Sequence, residues 1–171
     1  MPGSLSHLAR RFFDVLLARR LDRAETAEVE SWLDLREARV FFSQPDPDQR
    51  HGYHAAQVVL ASGTRSVPLI KAALLHDVGK RHARLGVVAR SLVSVLIHLR
   101  LPLPSRGRQY RDHGEAAARE LDEIGCETLV VEFARHHHGA RPAGIPQATW
   151  DLLQLADEPP KTGETVRGRI S

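Results

Sequence analysis

The chain has 171 residues, of which 42% are hydrophobic, with a formal net charge of +3 and a sequence pI near 9.5. That length fits one domain with a core of ordinary size, and the single Cys126 excludes a disulfide framework within the chain and a cysteine-rich zinc site, leaving His and carboxylate as metal-ligand types. Of the 24 basic residues, 21 are arginines scattered without the clustered readers a duplex-binding stripe would show, so nucleic acid is not an expected partner; a reducing cytoplasm is the expected compartment.

The hydrophobic pattern is helical almost throughout, with no sustained alternation, and predicts an all-α fold, a compact single-domain helical bundle. A first helix is expected over 5–21. Asp14 interrupts its apolar run and Arg19-Arg20 close it, which argues for an amphipathic helix and against a signal peptide. A second, over 24–42, carries Val29, Trp32, Leu33 and Val40 inward. Pro45 and Pro47 force a break, and the following helix, 48–61, carries His51 with Ala55, Val58 and Val59 on neighbouring positions. Ser66-Val67-Pro68 open the next one, which is expected to stop at Gly79, just beyond His76-Asp77.

The most apolar window is 85–103. Arg90, His98 and Arg100 break it and Pro102 and Pro104 end it, so a membrane span would hold charge near its centre. The expectation is a buried or partner-facing helix, the alternative a helix lying on a membrane surface through its Arg-flanked apolar face. Arg106-Gly107-Arg108 would suit a lip that gathers an anionic substrate. Asp112 with Glu115 three residues on has capping-box spacing and starts a helix that Gly125 closes. The helix after Thr128 delivers His136-His137-His138 to its last turn. A final helix from about residue 147 packs Trp150, Leu153 and Ala156 and ends its apolar stripe at Asp157.

His76-Asp77 places an imidazole and a carboxylate side by side at an apolar helix end, where buried groups need a metal or a polar partner. Adjacent helical residues point about 100° apart, so at a terminal turn one can take a metal while the carboxylate reaches toward a second. His51, His113, the run His136-His137-His138 and Asp157 each lie near an apolar or alanine-rich stretch, and together they suggest a site assembled from several helices. His51, His76, Asp77 and Asp157 suit one ion. Three consecutive imidazoles point three ways and cannot all meet one metal; His137 is the first choice among them.

The ordered set, with His76-Asp77-Val78-Gly79-Lys80 at its centre, resembles the HD-domain metal-dependent phosphohydrolases, in the subgroup that reads HD-[IV]-G-K. The resemblance runs from about Asp48 to Asp157 and implies an HD domain over 46–158 after an N-terminal helical extension over 1–45; Pro159-Pro160 and a Gly/Arg-rich composition predict a disordered tail over 159–171. It implies that Asp77 bridges to a second ion completed by His113 and one or both of His137 and His138. It gives Lys80 contact with substrate phosphate, where the bland reading is a lysine stabilising the helix dipole. His54 shares a face with His51, but the Asp48-Gln49-Arg50-His51 context fits the family better.

The implied activity is hydrolysis of a phosphoester or phosphoanhydride in a nucleotide or related small molecule by a metal-bound hydroxide, with Asp77 and Lys80 as the catalytic residues. One or two divalent ions per chain are expected, and Mn, Fe, Co, Mg or Zn all suit the ligands. The family's His pair precedes an acidic residue where this chain has Gly139, and Arg141-Pro142-Ala143-Gly144-Ile145-Pro146 only loosely echoes a G-Y-P signature, which counts against a cyclic-di-GMP phosphodiesterase. The other readings are a nucleotide-sensing module without turnover and a basic nucleic-acid-binding protein. The sequence carries no signal for an oligomeric state.

Overall fold

A computed structural model describes residues 19–158, and over these the chain is all-α. Most of the helix expected over 5–21, and the tail 159–171, lie outside the described residues. The first helices are α1 (Arg23–Trp32) and α2 (Leu35–Phe42), so the single helix expected over 24–42 is two. Capping chemistry divides it. Asp34 accepts from the Arg36 and Glu37 amides at 2.7 and 2.9 Å, and Glu37 returns to the Asp34 amide at 2.8 Å, a complete capping box that starts a new helix after extended Leu33. Asp22 and Glu25 build the same device at the start of α1.

Next come α3 (Asp46–Ala61), with a proline in its first turn, and α4 (Val67–Leu75). α4 is the central rod. Ile70, Ala72, Ala73, Leu74 and Leu75 are all buried, and α1, α3, α8 (Thr128–His136) and α9 (Gln147–Asp157) surround it. Phe41, Val59, Leu121, Phe133 and Leu153 complete the same core. Each such side chain contributes about 1.5–3 kcal/mol when fully buried.

The chain leaves α4 at Leu75 and tightens into a 3-10 helix, Val78–Ala83, so the helix does not run to Gly79 as its spacing predicts. Gly79 is there for contact. A Cβ at this position would lie 2.1 Å from the His113 carbonyl oxygen and 2.8 Å from the Ala117 nitrogen, so only glycine lets the 3-10 helix touch the backbone of α7 (His113–Glu123). α5 (Val87–His98) and α6 (Ser105–Arg111) lie between them in sequence. The capping box expected at Asp112 is not formed. Its carboxylate instead takes the Arg111 guanidinium at 2.7 and 2.9 Å, and Glu115 pairs with Arg135.

Among the described side chains of 85–103, only Val93 is fully buried. Val88, Leu92 and Leu99 face outward, so the segment expected to be buried or partner-facing is anchored on one side and leaves an apolar face open. No helix among the described residues is long and apolar enough to cross a membrane.

Candidate metal centre

Helix ends deliver most of the chemistry to one place. His76 and Asp77 follow the last residue of α4, His113 opens α7, His137 and His138 follow α8, and Asp157 closes α9, while His51 sits in the second turn of α3. Residues 106 positions apart thereby meet: Asp157 Oδ1 lies 3.1 Å from the Nε2 atoms of both His51 and His76.

Asp77 stands between two sets of donors. Its Oδ2 is 3.4 Å from His76 Nε2 and 3.6 Å from His51 Nε2, and its Oδ1 is 3.0 Å from His113 Nε2 and 3.4 Å from His137 Nε2. Two groups of ligand atoms result, His51/His76/Asp77/Asp157 and Asp77/His113/His137/His138, each with its atoms within 4.8 Å of one another. Lys80, from the 3-10 helix, places its ammonium on Asp77 Oδ2.

Backbone carbonyls orient the imidazoles. Nδ1 of His76 donates to the Ala73 carbonyl at 2.9 Å, Nδ1 of His113 to that of Tyr110 at 2.7 Å, and Nδ1 of His137 to that of Ala134 at 2.8 Å. Since a carbonyl only accepts, the proton of each neutral ring is committed to Nδ1, and Nε2 turns its lone pair to the centre, as in metal-bound histidines. The helix ends supply these carbonyls because the last turn leaves them without amide partners. His113 Nε2 and His137 Nε2 then face each other at 3.3 Å. Two lone pairs so close need a proton or a cation between them, and the donor set fits a divalent ion.

Without an ion, a proton takes that place on His76: burial opposes its charged form, yet the Asp77 and Asp157 carboxylates outweigh burial and push the imidazole up to about 10, so a metal at Nε2 would displace this proton. Burial would raise Asp77, but Lys80 and His76 hold its carboxyl well below the usual range. Asp157 is likewise held low against burial by His76 and His51. Burial lowers His137. His138 is pushed down to about 3 by desolvation together with the adjacent His137 and His113, although its outer edge is exposed. Two ionised carboxylates therefore sit among buried imidazoles.

The register of the histidine run is clear in space. His137 is buried in the centre, His138 stands at its rim with its ring 3.9 Å from that of His137, and His136 turns to Glu132 on its own helix at 3.6 Å. His54 is exposed and does not reach the centre, whereas His51 does.

Two supporting side chains, Gln154 and Arg90, have no clear signature in the sequence. Gln154 donates to the His137 carbonyl at 2.7 Å and fixes the turn that carries it; its place one helical turn before Asp157 is the only available hint. Arg90 clamps Asp48 at 2.7 and 2.6 Å and lies over the Tyr110 ring, whose carbonyl holds His113. These contacts span 42 and 20 residues in sequence and follow no local period.

No family model matches the chain, and no curated protein or solved structure matches it. What stands is a helical fold whose buried His/Asp groups can hold a metal, an arrangement compatible with an HD-type fold.

Proposed function

We propose that the chain is a metal-dependent phosphohydrolase of the HD-domain type that cleaves a phosphoester or phosphoanhydride of a nucleotide or related small molecule. The observation that carries this reading is the division of Asp77, whose two oxygens face two separate sets of imidazole donors. Divalent ions held there supply an acidified water and positive charge against the phosphate oxygens.

The residues divide the remaining work. Asp77 holds the two donor sets at a fixed separation, and Asp157 adds the second carboxylate that makes the site attractive to cations. The three backbone-tethered imidazoles keep their Nε2 atoms aimed inward without rearrangement, which is how a site becomes preorganised. Lys80 is 8% exposed and carries its charge at the edge of Asp77, where an incoming phosphate can share it. The neutral His138 at the rim offers a lone pair to an ion and no proton to a leaving group.

The test joins metal content to turnover. Purified chain should carry divalent metal and release phosphate from at least one member of a panel of mononucleotides, dinucleoside polyphosphates and cyclic dinucleotides, and Asp77→Ala should lose both properties. Metal without turnover of any panel member would favour the nucleotide-sensing module; a chain that takes up no metal would end the hydrolase reading.

A further inference from the structure

The 34 residues from Val78 to Arg111 contain eight basic side chains and no Asp or Glu, while the rest of the chain has 16 basic against 21 acidic residues. Positive charge is thus gathered in one segment of a chain that is otherwise net negative. Lys80, Arg81 and Arg90 are neutralised by Asp77, Glu120 and Asp48, and Arg111 pairs with its neighbour Asp112. Arg84, Arg100 and Arg106 form no ion pair with a carboxylate among the described residues, and Arg108 feels only Asp112, which is already paired with Arg111.

The same segment carries an outward apolar stripe. Val88, Leu92 and Leu99 are 71%, 59% and 57% exposed, and their spacing of four and seven residues lines up Val88 and Leu92 on one face of α5 with Leu99, the residue that caps its end. The opposite face is the anchored one: Val93 is buried against Gly107 of α6, and Arg90 is bound to Asp48 of α3. Arg84 precedes the stripe and Arg100 follows it. At the helix end, Ile97 of α5 and Leu101 and Leu103 after it share a surface groove with Arg100, Arg108 and Arg111.

From this juxtaposition we infer that α5 and the turn after it form a docking surface for an anionic lipid bilayer. A helix lying in the interface buries its apolar face at the level of the headgroups while flanking arginines reach the lipid phosphates. The absence of carboxylates across the whole segment removes the repulsion that would oppose such contact, and the negative remainder of the chain orients this face toward the membrane. The inference is independent of the metal centre's chemistry.

The experiment uses the full chain with vesicles of phosphatidylcholine alone and vesicles in which phosphatidylglycerol replaces part of it. Co-sedimentation should be strong with the anionic vesicles, weak with the neutral ones, and should decline with added salt. Arg100→Gln and Arg108→Gln should each weaken partitioning by about fivefold, and Leu92→Gln should weaken it further while the circular dichroism spectrum stays unchanged, because this side chain is exposed. Equal partitioning into both vesicle types, none into either, or full binding by all three variants would overturn the inference. So would a solution dimer that Leu92→Gln dissociates, which would assign the stripe to a second copy of the chain.

Discussion

The two halves of the centre share Asp77 and match in dimensions, yet they differ in charge. On one side His51 and His76 meet a second carboxylate, Asp157; on the other, His113, His137 and His138 have no carboxylate besides the shared one. The first half is built to hold a cation by charge, and two acids flank the fully buried His76. The second relies on imidazole lone pairs and opens to solvent at His138. Similar distances therefore describe two different sites: one with two carboxylates and a more neutral one that opens to solvent at His138, where on the proposed function a phosphate would approach.

The strongest way to break this comparison is Asp77→Ala, which removes the group common to both halves. Bound metal should fall to none and phosphate release by about a thousandfold or more, as expected when several kcal/mol of charge stabilisation is withdrawn. Asp157→Ala should separate the halves. It deletes a carboxylate from one set only, so metal analysis should find one ion per chain fewer than in the parent; equal loss from both would show that the halves do not load independently. His138→Ala should act more gently, weakening uptake of one ion by about 10-fold to 100-fold, a loss that saturating metal restores.

The smallest effect is expected away from both halves, at the Glu25–Arg50 pair that fastens α1 to α3. The Arg50 guanidinium, with a hydrogen bond donated by the Asp22 backbone N–H, lowers the Glu25 carboxyl from 4.5 to about 2. A depressed folded value means that the contribution is fully present above about pH 4.5 and disappears as the pH falls through about 2. Unfolding free energies from urea titrations of Glu25→Gln and the parent should differ by about 1–2 kcal/mol near neutrality, allowing for solvent screening, and converge near pH 2 with metal content unaffected.

Helical periodicity and the His76-Asp77 pair made the fold class and the residues of the centre legible, because ligands delivered by helix ends leave a local trace: an apolar run that stops at a histidine or an aspartate. Choosing among His136, His137 and His138 required the third dimension, since a difference of 100° per residue has no meaning until the axis of α8 is placed. The split of 24–42 was readable in principle from Asp34 and Glu37, whose spacing equals that of Asp112 and Glu115. The same motif capped one helix and not the other because Arg111 stands beside Asp112 and captures its carboxylate. Gly79 looked like a terminator, and its reason lies in the backbone of α7, 34 residues further on. Packing partners at that separation have no signature in a single chain.

The meeting of His51 with Asp157 has a mechanical consequence. An ion gripped by both would staple a 106-residue loop shut, so part of its binding energy would act as a cross-link that restrains the unfolded chain and secures α9, the last described helix, against the body. Chelation should then be felt first as faster hydrogen exchange along α9, before the core around α4 loosens. On this view the candidate metal centre would also be the clasp that keeps α9 in place.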